Sequence, residues 1–427
     1  MSGGFSIDDR LKGVPLGTEA FAIERIGEKK WNVLRGDVRF PAAVLKDSAL
    51  RHNGVWMRRF LAASGALFAP HGKTTLSPEL FRRQLDDGAW AITLANLGQV
   101  RAVRRHGLAR IVLANEVIDP AEVRWALREL AADRNFELLW LVDSIDCVQL
   151  LAALAAAQPL GRPLELLVEC GYAGGRAGCR DLASALRIAR AVHAAAPKLA
   201  LRGISGFEGL LSADDPGLEK ARVVAFLDSI GETAEACDRE GLFGAGPVLL
   251  SAGGSAFYDL AIERLGRRQL QREAKVVIRS GCYLTQDGGP YERAFARILE
   301  RSPLAREQGE GLRPALELWA QVLSRPEPTR AVVNLGKRDA SHDAGLPRPL
   351  AFFRAGLSQA PVPLSGVTTA GLNDQHALLD IPPESPLRPG DRLGFGISHP
   401  CLTFDRWPLL FVVDDAYDVV SAIHTLF

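Results

Sequence analysis

Lys73 stands in the run Ala69-Pro70-His71-Gly72-Lys73-Thr74-Thr75, at the end of a short apolar stretch. A lysine held there and partly buried binds its proton less tightly, and the free amine can condense with an aldehyde. A lone lysine in a loop is more often a solvated surface group, so the reading depends on what faces it. Two turns qualify: Ser-Ala-Gly-Gly-Ser at 251–255 and Ser-Gly-Cys-Tyr at 280–283. Small residues let backbone N–H groups close on an anion, and hydroxyls add donors. Either turn alone would be an ordinary tight turn. A third constellation is His399-Pro400-Cys401. If this stretch is a strand, positions i and i+2 face one side, and imidazole and thiolate could converge on one ion. Nitrogen and sulfur donors suit Zn2+, and two protein ligands leave positions for water and substrate. By itself an H-x-C is more often a core cysteine beside a turn histidine. Asp405 is a candidate to orient that histidine from behind. Arg176, in a glycine-rich loop, could steady the phenolate of a ring cofactor, although such arginines are more often solvated anchors. Asn373-Asp374-Gln375-His376 reads equally as a β-turn or, through His376, as part of a site.

The elements that must carry these residues alternate between short apolar runs and amphipathic stretches, the pattern of βα units around a parallel sheet. Strands are expected within 66–74, 89–96, 110–117, 137–144, 164–171, 201–209, 247–255 and 275–284. Between the first three lie PELFRRQLDDG and QVRAVRRHG, each ending in glycine after charged residues, as a helix stop should. Eight such units close a (β/α)8 barrel. An open doubly wound sheet could use the same units, since periodicity alone does not separate the two. The strand ends favour the barrel. Lys73, Asn115, Asp143, Arg176, Glu208, the 251–255 turn and Tyr283 all follow strands, and barrel chemistry sits on the loops after strands.

From about residue 303 to 330 the chain becomes Pro- and Arg-rich and passes into a second domain. There AVVNLG, LAFFRAG, RLGFGIS, PLLFVVDD and DVVSAIHTLF are cut by Gly, Pro and Asn-Asp, the spacing of antiparallel β structure. We therefore expect residues 1–40 to pair with the β domain through a strand at Trp31–Asp37, residues 41–302 to form the barrel, and residues 303–427 to form the β domain with the metal ligands. The alanine-rich LAALAAAQP reads as an ordinary helix.

Barrels place phosphate sites after strands seven and eight, where the two small-residue turns fall. A lysine after strand one facing that cup is the layout of a pyridoxal 5'-phosphate site. A net charge of +1 favours neither nucleic acid nor an anionic membrane as partner. The start, MSGGFSIDDR, lacks the apolar core of a secretory signal, and no run approaches the roughly 18 apolar residues of a membrane span. Six cysteines without a CxxC pair read as reduced thiols in a cytoplasmic protein.

The segments FPAAVLKDSALRHN, APHGKTTLSPELFRRQLDDGAWAITLAN and RIVLANEV resemble the opening of the D-threonine aldolase and D-serine dehydratase family, which has the alanine-racemase-type (fold type III) architecture. The resemblance continues through VECGYAGGRAGC, GISGFEG, SAGGS, SGCYLTQD and NDQH to SHPC, roughly residues 38 to 401. It implies a pyridoxal-phosphate-binding barrel joined to a β domain, in homodimers with active sites near the subunit contact. It makes Lys73 the Schiff-base lysine, and Gly253, Gly254, Ser255, Gly281 and Tyr283 the phosphate region. His399 and Cys401 become the metal pair. Cysteine at 401, where aldolase-like members carry aspartate, points to a zinc-dependent dehydratase. Phe207 and Leu210 stand where the family often has Tyr and His, and HGKTT replaces the commoner KTHK, closer to the amino acid deaminase branch.

The expected reaction is loss of water and then ammonia from a D-hydroxy amino acid such as D-serine, giving a keto acid. Lys73 takes the Cα proton, the cofactor serves as electron sink, and zinc polarises the β-hydroxyl. The rivals are retro-aldol cleavage of a D-threonine-like substrate, a racemase, a non-catalytic pyridoxal-phosphate carrier, and a metal-dependent hydrolase on a plain barrel.

Overall fold

The computed structural model describes residues 4–158 and 160–427. The first three residues of the MSGG start and Pro159 of LAALAAAQP lie outside them. Eight parallel strands follow in chain order: Leu67–Phe68, Ile92–Leu94, Arg110–Leu113, Glu137–Val142, Leu164–Cys170, Leu199–Gly206, Val248–Ala252 and Ala274–Ile278. Each pairs with its sequence neighbour from the second onward, and the first pairs with the eighth. The ring closes between strands one and two, where His71 bridges Thr93 and Thr93 Oγ1 donates to Ala69 O at 2.6 Å. An open sheet is thereby excluded, and the fold is an alanine-racemase-type (β/α)8 barrel.

Local sequence explains the helices. Asn96, Asp119, Ser144, Asp181 and Asp215 each accept a backbone N–H at the first turn of the helix that follows, satisfying an otherwise orphan donor. Gly88 and Gly107, just past Pro78–Asp86 and Leu97–Arg104, have φ of +100° and +85°. Only a residue without Cβ enters that region cheaply.

The barrel interior is layered. Ala69, Ala91, Val112, Leu139, Leu141, Leu167, Leu249 and Val277 form a buried apolar plug. Residues two further along a strand share its face. Ala69 is thus followed by His71, Ala91 by Thr93, Leu167 by Glu169, Leu249 by Ser251 and Val277 by Arg279. The sequence alternation that builds the core therefore puts a polar layer directly above it, at the strand ends.

The second domain is a branched, largely antiparallel sheet. The five apolar runs read from sequence supply Arg330–Val333, Arg348–Phe353, Arg392–Gly396, Leu409–Val413 and Val419–His424. Its longest strand, Leu316–Glu327, lies in the stretch read as an interdomain passage. The charged residues of that stretch mask Leu316, Trp319, Ala320 and Val322, all buried. The expected strand at Trp31–Asp37 is instead a turn with a single bridge, Asn32 to Asp418. Asn32 Oδ1 accepts Arg35 N, its Nδ2 donates to Ala416 O and Asp418 Oδ1, and Gly36 is left-handed. Such side-chain bonds compete with a ladder. The amino-terminal contribution to the sheet is Ala42–Lys46, antiparallel to Leu316–Glu327 and parallel to Leu409–Val413. No helix among the described residues is long and apolar enough to cross a membrane.

Candidate active site

Lys73 sits in a one-turn 3-10 helix, Gly72–Thr74, directly after the first barrel strand. Its side chain is exposed rather than partly buried, yet it lines a solvent-open cavity with His71, Asn115, Glu169, Arg176 and Arg279. The exposure follows from the turn, which lifts residue 73 above the polar layer while His71 and Thr74 pack beneath it. Phe207 and Gly254 complete the wall, and the Arg176 guanidinium lies 5.3 Å from the Phe207 ring centroid.

The strongest charge of the cavity floor is one the sequence reading passed over. Arg279 is buried and donates to Gly206 O. Burial lowers its pKa, and Glu208 and Glu169 counter that shift. His71 is held well below the ordinary imidazole value by burial and by the cations Lys73, Arg279 and Arg176, so it is neutral. Glu116 is pushed up to about 9 by burial, by hydrogen bonding to Glu169, and by repulsion from Glu169 and Asp143. The i+2 alternation above the apolar plug was the signal that could have found His71, Glu169 and Arg279.

The phosphate turns meet where expected, but their donors are shared out differently. Gly254 N and Gly253 N donate to the wholly buried Glu208 carboxylate at 2.6 and 3.2 Å. That leaves hydroxyls to meet an anion: Ser280 Oγ is 3.2 Å from Ser255 Oγ, which also accepts Cys282 N. Gly281 allows the close approach, since a Cβ there would stand 2.5 Å from His71 O. Tyr283 is out of the site. It is buried edge-on to Phe68, with ring centroids 5.0 Å apart, in the core between barrel and β domain.

Does this cavity suit pyridoxal phosphate? His71 Nδ1, Ser205 Oγ and Ser251 Oγ are buried without hydrogen-bond partners. Ser205 is in register beside both Glu169 and Ser251, on the inner face. Buried polar atoms ordinarily have partners, and a polar ring below an amine and beside a hydroxyl cup supplies them for a phosphorylated aldehyde. The residues fit the group.

His399 and Cys401 converge beside this cavity, though not as strand neighbours. The strand ends at Gly396 and Cys401 opens a short helix, Cys401–Phe404. Cys401 Sγ is 3.4 Å from Thr74 Oγ1 and 3.9 Å from Cys282 Sγ. Hydrogen bonding to Cys282, His399 and Thr74 drops the Cys401 thiol well below its usual value. His399 is raised to about 9, chiefly by Cys401 and then by Asp343. Its Nδ1 pairs with Asp343 Oδ2 at 2.7 Å, so Asp343, not Asp405, orients the ring; Asp405 pairs with Arg406. Among the described residues no three His, Cys, Asp or Glu side chains already enclose a metal position. The nitrogen and sulfur donors nevertheless suit zinc. The 373–376 cluster is an exposed turn, with Asn373 N donating to His376 O at 2.8 Å, and it stays outside the site.

Residues 46–256 match the family model for the alanine racemase N-terminal domain, and residues 315–413 match that described as "Putative serine dehydratase domain". The chain is 28% identical to the 3-hydroxy-D-aspartate aldolase of Paracoccus denitrificans over 73% of its own length and 75% of that protein. It is 25% identical to the D-threonine aldolase of an Arthrobacter species over 80% of each. Among solved structures, D-threonine aldolase from Filomicrobium marinum superposes with a TM-score of 0.74 at 22% identity, covering 91% of this chain and 95% of that one. D-threo-3-hydroxyaspartate dehydratase from Delftia sp. HT23 gives 0.69 at 21%, covering 91% and 97%. With both domain matches in chain order around one lysine-bearing cavity, this protein belongs to the pyridoxal-phosphate-dependent, fold type III family of D-serine dehydratases and D-threonine aldolases.

Proposed function

We propose that this chain is a pyridoxal-phosphate-dependent lyase that dehydrates and deaminates a β-hydroxy D-amino acid, with D-serine giving pyruvate and ammonia. The observation that carries the reading is the contact between Thr74, next to Lys73, and Cys401 of the β domain. It makes one site of the Schiff-base lysine and the His-Cys pair.

When bound, the pyridoxal ring draws electron density from Cα and acidifies its proton. Lys73 Nζ, as a free amine, would be the base that receives that proton. The Ser255 and Ser280 hydroxyls would hold the phosphate, and Arg279, balanced by Glu208 and Glu169, would supply the positive charge of the cavity lining. Arg176, which lines the cavity beside Phe207, would steady the phenolate of the ring or hold a neighbouring group. His399 and Cys401 would hold zinc, with Asp343 fixing the imidazole so that Nε2 is free to ligate. Such a metal supplies Lewis acidity at the β-hydroxyl and makes it a better leaving group.

Retro-aldol cleavage by the same residues is the second reading, favoured by the aldolase names of the relatives. There the proton taken is that of the β-hydroxyl, and Cα–Cβ breaks. Incubation with D-serine and D-threonine separates them: keto acid and ammonia support dehydration, whereas glycine overturns it in favour of the aldolase. Chelation that leaves turnover undiminished removes zinc from the scheme. We further propose a homodimer, supported by Ile118 and Leu210, 73% and 59% exposed on loops after the third and sixth barrel strands. Light scattering that returns the mass of one chain excludes it.

A further inference from the structure

We infer that Cys282 is a third metal ligand, so that the phosphate loop of the barrel and the H-x-C of the β domain clasp one ion as a Cys2His site. The inference rests on the proposal that His399 and Cys401 bind a metal, and it assigns a role to a cysteine that cofactor binding leaves unused.

The argument is geometric. Cys282 is buried, and its Sγ stands 3.9 Å from Cys401 Sγ. Two sulfurs each about 2.3 Å from a tetrahedral zinc are about 3.8 Å apart, so the pair already has the span of two thiolates on one ion. A disulfide would need the sulfurs at about 2.05 Å. Thr74 Oγ1 lies within 3.8 Å of Cys282 Sγ and 3.4 Å of Cys401 Sγ, capping the sulfur pair on the side of Lys73. His399 is two residues from Cys401, with Nδ1 engaged by Asp343 and Nε2 left as the donor. With Asp343 holding Nδ1, Nε2 would be the third donor of the set. Three protein ligands with one open position is the layout of catalytic rather than structural zinc, and the sulfur pair touches Thr74, the residue next to Lys73. The ligand that fits there is the hydroxyl oxygen of the substrate. Because Cys282 N also donates to Ser255 Oγ, metal and phosphate would share one loop and bind with mutual reinforcement.

The test is zinc K-edge absorption on the cofactor-loaded enzyme with one equivalent of zinc, for wild type, Cys282→Ser and Cys401→Ser. Wild type should show two sulfur neighbours near 2.3 Å and each variant one, with zinc affinity of Cys282→Ser lowered tenfold or more. The visible absorbance of lysine-bound cofactor reports whether each variant has folded. Zinc bound by wild type through a single sulfur overturns the inference while leaving the His399–Cys401 pair intact. A wild type that binds no zinc overturns both. Should Cys282→Ser fail to fold, the sulfur count of wild type alone decides.

Discussion

The hydroxyl of Thr74 lies 3.4 Å from Cys401 Sγ, although 327 residues separate them in the chain. Thr74 is buried, and its neighbour Lys73 projects into the cavity. One backbone turn therefore fixes the distance between the amine and the sulfur. Thr74→Val keeps the shape of the side chain and removes the hydrogen bond. Positioning partners of this kind are worth about 10- to 100-fold in metal affinity or activity. We expect the variant to keep its cofactor absorbance and lose turnover by about tenfold, with Thr74→Ser restoring most of it. A loss of cofactor absorbance in Thr74→Val would instead mean that the residue only supports the loop.

The Glu208 carboxylate, from the loop after the sixth barrel strand, occupies the amides of the 251–255 turn that was to receive phosphate. With both Gly253 and Gly254 amides committed to it, Glu208→Ala strands one buried donor, Gly253 N, and releases the part-buried Gly254 N to the cavity. Leaving a buried group unsatisfied costs about 1–3 kcal/mol, and the variant should lose stability on that scale in urea. Glu208→Gln keeps one acceptor oxygen and should lose less. In the proposed site the same sharing would leave phosphate to Ser255, so Ser255→Ala should release pyridoxal phosphate more readily than wild type in dialysis, without a comparable drop in urea midpoint.

How much of this could be read in advance follows from which forces are local. The eight barrel strands and the Gly88 and Gly107 helix stops were legible because hydrophobic periodicity and left-handed turns are written in neighbouring residues. Lys73 and the His399–Cys401 pair were singled out by residue type, spacing and family resemblance, and the fold brings them near one another through Thr74. The Glu208 clasp, the Asp343 partner of His399 and the Cys282 contact were not, because each joins loops 45 or more residues apart. The strand at Leu316–Glu327 hid behind Pro and Arg, and Trp31–Asp37 misled because the side chain of Asn32 outcompetes a ladder its neighbours would favour. Tyr283 was placed by family resemblance, whereas the turn after the eighth strand buries its ring in the core beside Phe68.

The carboxyl pair Glu116 and Glu169 predicts a particular pH dependence. Glu116 holds its proton up to about 9 in the folded protein, whereas an unfolded chain releases it near 4.5. Between those values the unfolded state carries fewer protons at this site, so its contribution to stability falls as pH rises through that window and is fully present only below it. Glu116→Gln, which cannot ionise, should lose that part of the slope. Urea midpoints of the cofactor-free protein from pH 5 to 9 check this. A slope unchanged by the substitution would show that Glu116 ionises normally in the fold.

The end of the chain is tied to the lysine loop, and this too can be measured. Leu426 N donates to Leu76 O at 3.0 Å, and Leu76 is a buried residue with φ of +41°. A left-handed leucine costs about 1–2 kcal/mol, and the surrounding contacts must hold it. Next to it, Glu79 Oε1 pairs with His424 Nδ1 at 2.8 Å, while Glu79 Oε2 accepts from Ser77 Oγ and His424 N. Burial pushes the Glu79 carboxyl up, but hydrogen bonding and charge from His424 outweigh it and leave it below its usual value. That contribution is present above the unfolded pKa and disappears as pH falls through the lower folded one, so the latch should loosen only on the acid side. His424→Ala should cost about 1–3 kcal/mol. Deleting Leu426 and Phe427 frees the Leu76 carbonyl with a smaller loss of global stability. In hydrogen exchange the truncated chain should lose protection across residues 72–77 before the remaining barrel loops, and pyridoxal phosphate should dissociate faster. Unchanged protection there would show that the loop around Lys73 holds its conformation without help from the chain end.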